Sequence, residues 1–206
     1  MDNWKKSGCV DNDEKSAGAI ARRVYNYAQL DRSALLAAES KATRILGQAG
    51  VELRWVDCPA PPADSANYPD CQTPWQANDY VVNVLPHSMA VLMGESADEL
   101  GLAADCEKGP ACTASVFYHR VQALSDALGY SPAAMLGYVM AHEIGHLLLR
   151  TSAHSAFGIM RARLTRDDLL RPLGFTPTQS LIIRADVAGR DRIQQAGALP
   201  KIAARN

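Results

Sequence analysis

Residues 131–149 read SPAAMLGYVMAHEIGHLLL. Ser131 before Pro132 is a strong helix start: a serine cap, then a proline where the first N–H has no partner to lose. The run from Ala133 to Leu149 is apolar nearly all round, so its helix is a buried one. Into that surface are set His142, Glu143 and His146, an H-E-x-x-H pattern. Positions four apart share one helix face, about 6 Å apart along the axis. Two imidazoles so placed converge on one zinc ion. Glu143, about 100° round the helix, reaches a water on the metal without being a ligand.

The chain holds 5 histidines, and random placement yields such a pattern roughly 0.004 times per chain, so coincidence is a poor explanation. Burying the three polar groups unpaired would be costly. The bland alternative is that they satisfy one another and the backbone within the core.

Catalytic zinc takes three protein ligands and keeps one position open. No Glu follows Glu143, and the next histidine is His154, eight residues after His146. On a continuing helix His154 would lie about 12 Å further along, too far to share a metal. The helix must therefore end and the chain turn back, with Thr151-Ser152-Ala153 the weak helix formers at hand. Asp167 and Asp168 remain as alternative third ligands.

The stretch HEIGHLLLRTSAHSAFGIM, residues 142–160, resembles the active-site region of metzincin-type zinc peptidases, and of small bacterial metallopeptidases of that class. The resemblance implies His142, His146 and His154 as ligands of one catalytic Zn2+, Glu143 as general base, and Met160 in a methionine turn under the metal. It implies an α+β, zincin-like fold: a small mixed twisted sheet with an edge strand, packed on a crossover helix and a buried active-site helix, then a small helical C-terminal part. The usual pattern has a Gly after the second His and a shorter spacing to the third. Here Leu149 stands where the Gly would be, so Arg150 or a neighbour must take a left-handed conformation. The position two after Met160 is Ala162, so the Tyr some metzincins carry there is absent.

The rest of the chain frames this helix. Val24–Tyr27 reads as a strand, Asp31 as the cap of a helix running to Ala49, and Gly50 as its stop. Residues 51–56 alternate as a half-buried strand, and strand, helix, strand with short links predicts a parallel crossover. A proline-rich loop spans Pro59 to Pro74, residues 80–85 (YVVNVL) read as a central strand, and residues 87–114 are ambiguous. Residues 115–119 read as an edge strand along which a substrate strand could lie antiparallel. Tyr118 and His119 on it are candidate contacts to substrate or oxyanion, although strand aromatics usually serve packing. His87 reads as a loop residue. A short helix runs from Val121 to Gly129, and capped helices begin at Thr165 and Thr176. Arg161, Arg163 and Arg166 form a basic cluster, a solvated surface or a subsite for acidic side chains. The expected organisation is a flexible tail over residues 1–22 and one domain over 23–206, with a helical part from about 155.

At 206 residues with Lys plus Arg 21 against Asp plus Glu 22, the chain suits one domain and lacks the basic surplus of a nucleic-acid binder. No run of 18 apolar residues offers a membrane span. Cys58 with Cys71 and Cys106 with Cys112 each bracket a loop, which suggests disulfides and a secreted or periplasmic protein, with Cys9 left over. The residues 1–16 show no signal peptide as written, so a cytoplasmic location is the alternative. The expectation is a zinc-dependent endopeptidase acting on proteins or peptides. Its rival is a weak or inactive zinc domain serving structure or interaction. Oligomeric state is not legible.

Overall fold

The computed structural model describes residues 17–60, 65–74, 79–94, 98–104 and 112–198. The chain opens with strand β1 (Ala17–Asn26), helix α1 (Arg32–Gln48) and strand β2 (Val51–Cys58). Asp31 caps α1 as expected, its Oδ1 accepting the Ala34 N–H at 2.8 Å, and Gly50 follows with φ 84°. β1 and β2 pair in parallel, the predicted crossover. Short helices α2 (Pro69–Gln72) and α3 (His87–Leu92) flank strand β3 (Tyr80–Leu85). Strands β4 (Gly101–Ala104) and β5 (Cys112–Phe117) follow. Then come helices α4 (Tyr118–Leu128), α5 (Pro132–Leu149), α6 (Arg166–Leu169) and α7 (Pro177–Ala198).

The result is a mixed α/β fold. Its five described strands lie in the order β2-β1-β3-β5-β4, all parallel except β4, which runs antiparallel to β5. Side chains alternate across the sheet. Ile20, Val24, Val82, Val84, Ala114 and Val116 join helices α1, α5 and α7 in the main apolar core. Leu85 and Phe117 face the other way, onto Ala90 and Met89 of α3. The C-terminal helix shares the main core through Ile183 and Val187, so this part of the helical end packs on the same nucleus as the sheet.

Two expectations about strands need correcting. β1 begins at Ala17, so residues 17–22 belong to the sheet and not to a flexible tail; residues 1–16 lie outside the described residues. The polarity of Arg22 and Arg23 hid this strand. Arg22 points into the helix-covered face, fully buried, its guanidinium 3.9 Å from the Tyr80 ring centroid. Burial pushes its pKa down to about 9. Arg23 points the other way and donates to the Thr73 carbonyl at 2.6 Å, beside Asp79.

The second correction concerns the edge. β5 lies between β3 and β4, so it is an interior strand; the described sheet has its edges at β2 and β4, and the edge on this side is β4, inside the stretch that reads as ambiguous. Tyr118 and His119 do not extend a strand; they open α4. Cys58 and Cys71 form the expected disulfide. Cys112 is disulfide-bonded as well, while its expected partner Cys106, like Cys9, lies outside the described residues.

Candidate metal centre

Helix α5 starts as its sequence dictates, with Ser131 Oγ accepting the Ala134 N–H and Pro132 at the first turn. It ends at Leu149, where Arg150 takes the left-handed conformation (φ 51°, ψ 44°). This is the bend that the distance to His154 demanded. A non-glycine residue there costs about 1–2 kcal/mol. The Arg150 N–H donates to the His146 carbonyl, and the Ser155 N–H donates to the Met160 carbonyl at 2.8 Å. The chain thus doubles back over the helix end.

This return brings together His142, His146 and His154, with one ligand nitrogen of each inside a 4.8 Å span. The three ring centroids stand 4.7, 5.2 and 5.0 Å apart. Asp167 and Asp168, the alternative third ligands, are engaged elsewhere: Asp168 closes the capping box of α6 and pairs with Arg161, and Asp167 lies in the first turn of α6, outside the cluster.

The tautomers follow from the partners. His142 Nδ1 lies 2.8 Å from the Ile159 carbonyl, and His146 Nδ1 lies 2.7 Å from the Thr151 carbonyl. A carbonyl only accepts, so both Nδ1 atoms carry the proton and donate. Both Nε2 atoms are then bare lone pairs, and they face each other at 3.0 Å. Burial pushes the His142 pKa down to about 4 and lowers that of His146, so neither ring readily takes a second proton. Two lone pairs in contact call for a cation between them. Zinc bonds of about 2.0–2.1 Å in a tetrahedron place ligand nitrogens about 3.4 Å apart; the His142–His146 pair stands at 3.0 Å and the ligand atom of His154 lies within 4.8 Å of both, so the three-histidine group can close on a zinc ion.

Glu143 is 5% exposed; it lines the same cleft as the three histidines, and its side chain lies against strand β4. Its Cγ and Oε1 sit where a side chain on Gly101, in edge strand β4, would have to go. Burial, and secondarily the charge of Glu99, pushes its carboxyl up to about 8. Met160 is fully buried beneath the helix, its Sδ against Gly145, where an added Cβ would come within 2.6 Å. Ile159, before it, supplies the carbonyl that orients His142.

A cleft of ≈ 990 Å3 opens over these groups. It is lined by α5, by residues 98–103 with edge strand β4, by the 150–154 turn and by residues 161–164. Tyr118, a sequence candidate, is not among the lining residues; it packs against the main core. His119 instead meets His87, ring centroids 4.4 Å apart. Arg161 and Arg163 do line the cleft, paired with Asp168 and Asp98, while Arg166 opens α6. Sequence reasoning missed Gly101 and its strand, whose only signal is the four-residue run GLAA.

No protein-family model matches this chain, and no curated protein is similar to it. Among solved structures, the chain is similar to a zinc-dependent peptidase from Methanocorpusculum labreanum. The TM-score is 0.52 and the identity 15%, over 79% of this chain and 99% of that one. An archaemetzincin from Methanopyrus kandleri also aligns, with TM-score 0.45 and 13% identity over 84% and 97% of the two chains. At 15% identity the first likeness is one of fold: the chain shares the fold of that zinc-dependent peptidase.

Proposed function

We propose that the chain is a zinc-dependent endopeptidase, with its zinc held by His142, His146 and His154. The observation that carries this reading is the pair of Nε2 atoms facing each other at 3.0 Å beside the third imidazole, with each Nδ1 turned to a backbone carbonyl. When bound there, zinc supplies Lewis acidity, polarising the scissile carbonyl and bringing the pKa of water down to about 7.

The chain's own residues do the rest. His142 and His146 are held in the ligating tautomer by the carbonyls of Ile159 and Thr151. Glu143 takes the proton of the attacking water on its carboxylate and passes it to the leaving amine nitrogen. In the metal-free protein burial favours its protonated form; beside a dication the carboxylate is favoured. Glu143 lies against β4, and the substrate, in this reading, lies as an extended strand along the outer edge of Gly101–Ala104. Edge strand β4 takes the role that the sequence suggested for residues 115–119. A location outside the cytoplasm accords with the Cys58–Cys71 disulfide. No helix of the described residues is long and apolar enough to cross a membrane.

The test is elemental analysis of protein purified without added metal, then digestion of casein or a peptide library with and without chelator. We expect one zinc per chain, chelator-sensitive cleavage, and in Glu143→Gln a loss of cleavage of roughly 100-fold or more with zinc retained. Stoichiometric zinc with no cleavage of any substrate would instead identify a non-catalytic zinc module.

A further inference from the structure

The bend that returns His154 to the cluster is gripped from outside its own segment. Arg150 Nε and one terminal nitrogen both lie 2.8 Å from Asp186 Oδ1, on helix α7. The other oxygen, Oδ2, accepts from Arg190 Nε at 2.6 Å. Arg190 lies over the Tyr80 ring, 5.2 Å from its centroid, and reaches toward Cys112 Sγ at 3.7 Å. A continuous set of contacts therefore runs from the left-handed residue, through a carboxylate with 9% of its side chain exposed, to strands β3 and β5.

His154 needs such support. It is exposed, and among the described residues its ring makes no hydrogen bond that would orient it, unlike His142 and His146. Its place depends on the path of the backbone from Arg150. A glycine at position 150 would adopt that backbone without strain and leave it just as readily. Arginine pays the steric strain, and its planar fork on one carboxylate fixes the direction of the bend.

We propose that Asp186 is a positioning residue for the metal site: by holding Arg150 it sets the bend, and through the bend the third imidazole. This rests on reading the three histidines as a zinc site. The test measures the zinc dissociation constant, by competition with a chromophoric chelator, for the parent, Asp186→Asn, Arg150→Gly and the double variant. Asp186→Asn is expected to weaken zinc binding roughly 10- to 100-fold, as loss of support around metal ligands does. In the Arg150→Gly background the same change should move the constant by less than about threefold, since the contact through which Asp186 reaches the bend is already gone and only its pair with Arg190, away from the turn, remains to be lost. The visible absorption of the Co2+-loaded protein should weaken in Asp186→Asn, as the ion exchanges an imidazole for solvent. Arg150→Met tests the same contact from a side chain that is 67% exposed, and so keeps the question answerable if Asp186→Asn does not fold.

An equal loss of affinity with and without Arg150 would mean that Asp186 acts only on general stability, and would overturn the proposal. So would parental affinity in both Asp186→Asn and Arg150→Met. A parent chain that binds no zinc at all would overturn the reading of the site itself.

Discussion

Glu143 occupies the space that a side chain on Gly101 would fill: a Cβ built there stands 2.7 Å from both Cγ and Oε1 of Glu143. The Ser115 carbonyl is equally close, and as strand backbone it yields less readily than a side chain. Gly101→Ala should therefore displace the carboxylate while leaving the three imidazoles in place. The expected outcome is a fall in cleavage of about 100-fold, in line with misplacement of a reacting group by about 1 Å. Zinc content should stay at the parent level. Peptide turnover measured together with elemental analysis checks it.

Met160 fills the space under Gly145, and its neighbour Ile159 holds the His142 ring. Met160→Ala should cost roughly 2–5 kcal/mol through the cavity it opens, and Met160→Leu less than about 1.5 kcal/mol. Denaturant unfolding of the two variants gives the comparison. Loss of zinc affinity is expected in the alanine variant alone, because only there is the packing beside Ile159, whose carbonyl holds His142, removed.

Zinc that binds the native state and not the unfolded chain stabilises by mass action, by about 2.7 kcal/mol at a free concentration one hundred times the dissociation constant. Added zinc should raise the melting temperature of the parent and leave that of His146→Ala unchanged. Calorimetry of chelated and reloaded protein measures both.

Glu39 on α1 is 4% exposed, and burial, together with nearby Asp57, pushes its carboxyl up to about 8. The folded state thus holds a proton that the unfolded chain gives up near pH 4.5. The contribution is complete below that value and is lost as pH rises through about 8. Stability of the parent should decline across this window, and Glu39→Gln should flatten the decline. Urea unfolding at a series of pH values decides it.

The two long inner helices could be read from the sequence because their signals are local. Asp31 and Ser131 are caps, Gly50 is a stop, and apolar spacing fills the interval between. The left-handed bend was also legible, since eight residues of straight helix would carry His154 out of reach and no glycine stands at the turn. β1 was only half legible because its arginines find their partners some 50 residues away, at Thr73 and Tyr80. β4 spans four residues, too few for a period, and the order of strands is set by packing that no local pattern encodes. Hence local pattern puts the edge at residues 115–119, one strand too far inward, and Tyr118 with it. Asp186 carries no local signal: it is one of two aspartates on α7, and it gains its role only where the helix passes the turn.

His142 and His154 stand twelve positions apart in the chain, so an ion shared by them closes a small ring and ties no distant strands together. The sheet and its three covering helices draw their cohesion from elsewhere. Folding and metallation are therefore separable in time: the chain can complete its architecture first and be charged with metal afterwards, and discharge relaxes one loop without undoing the topology.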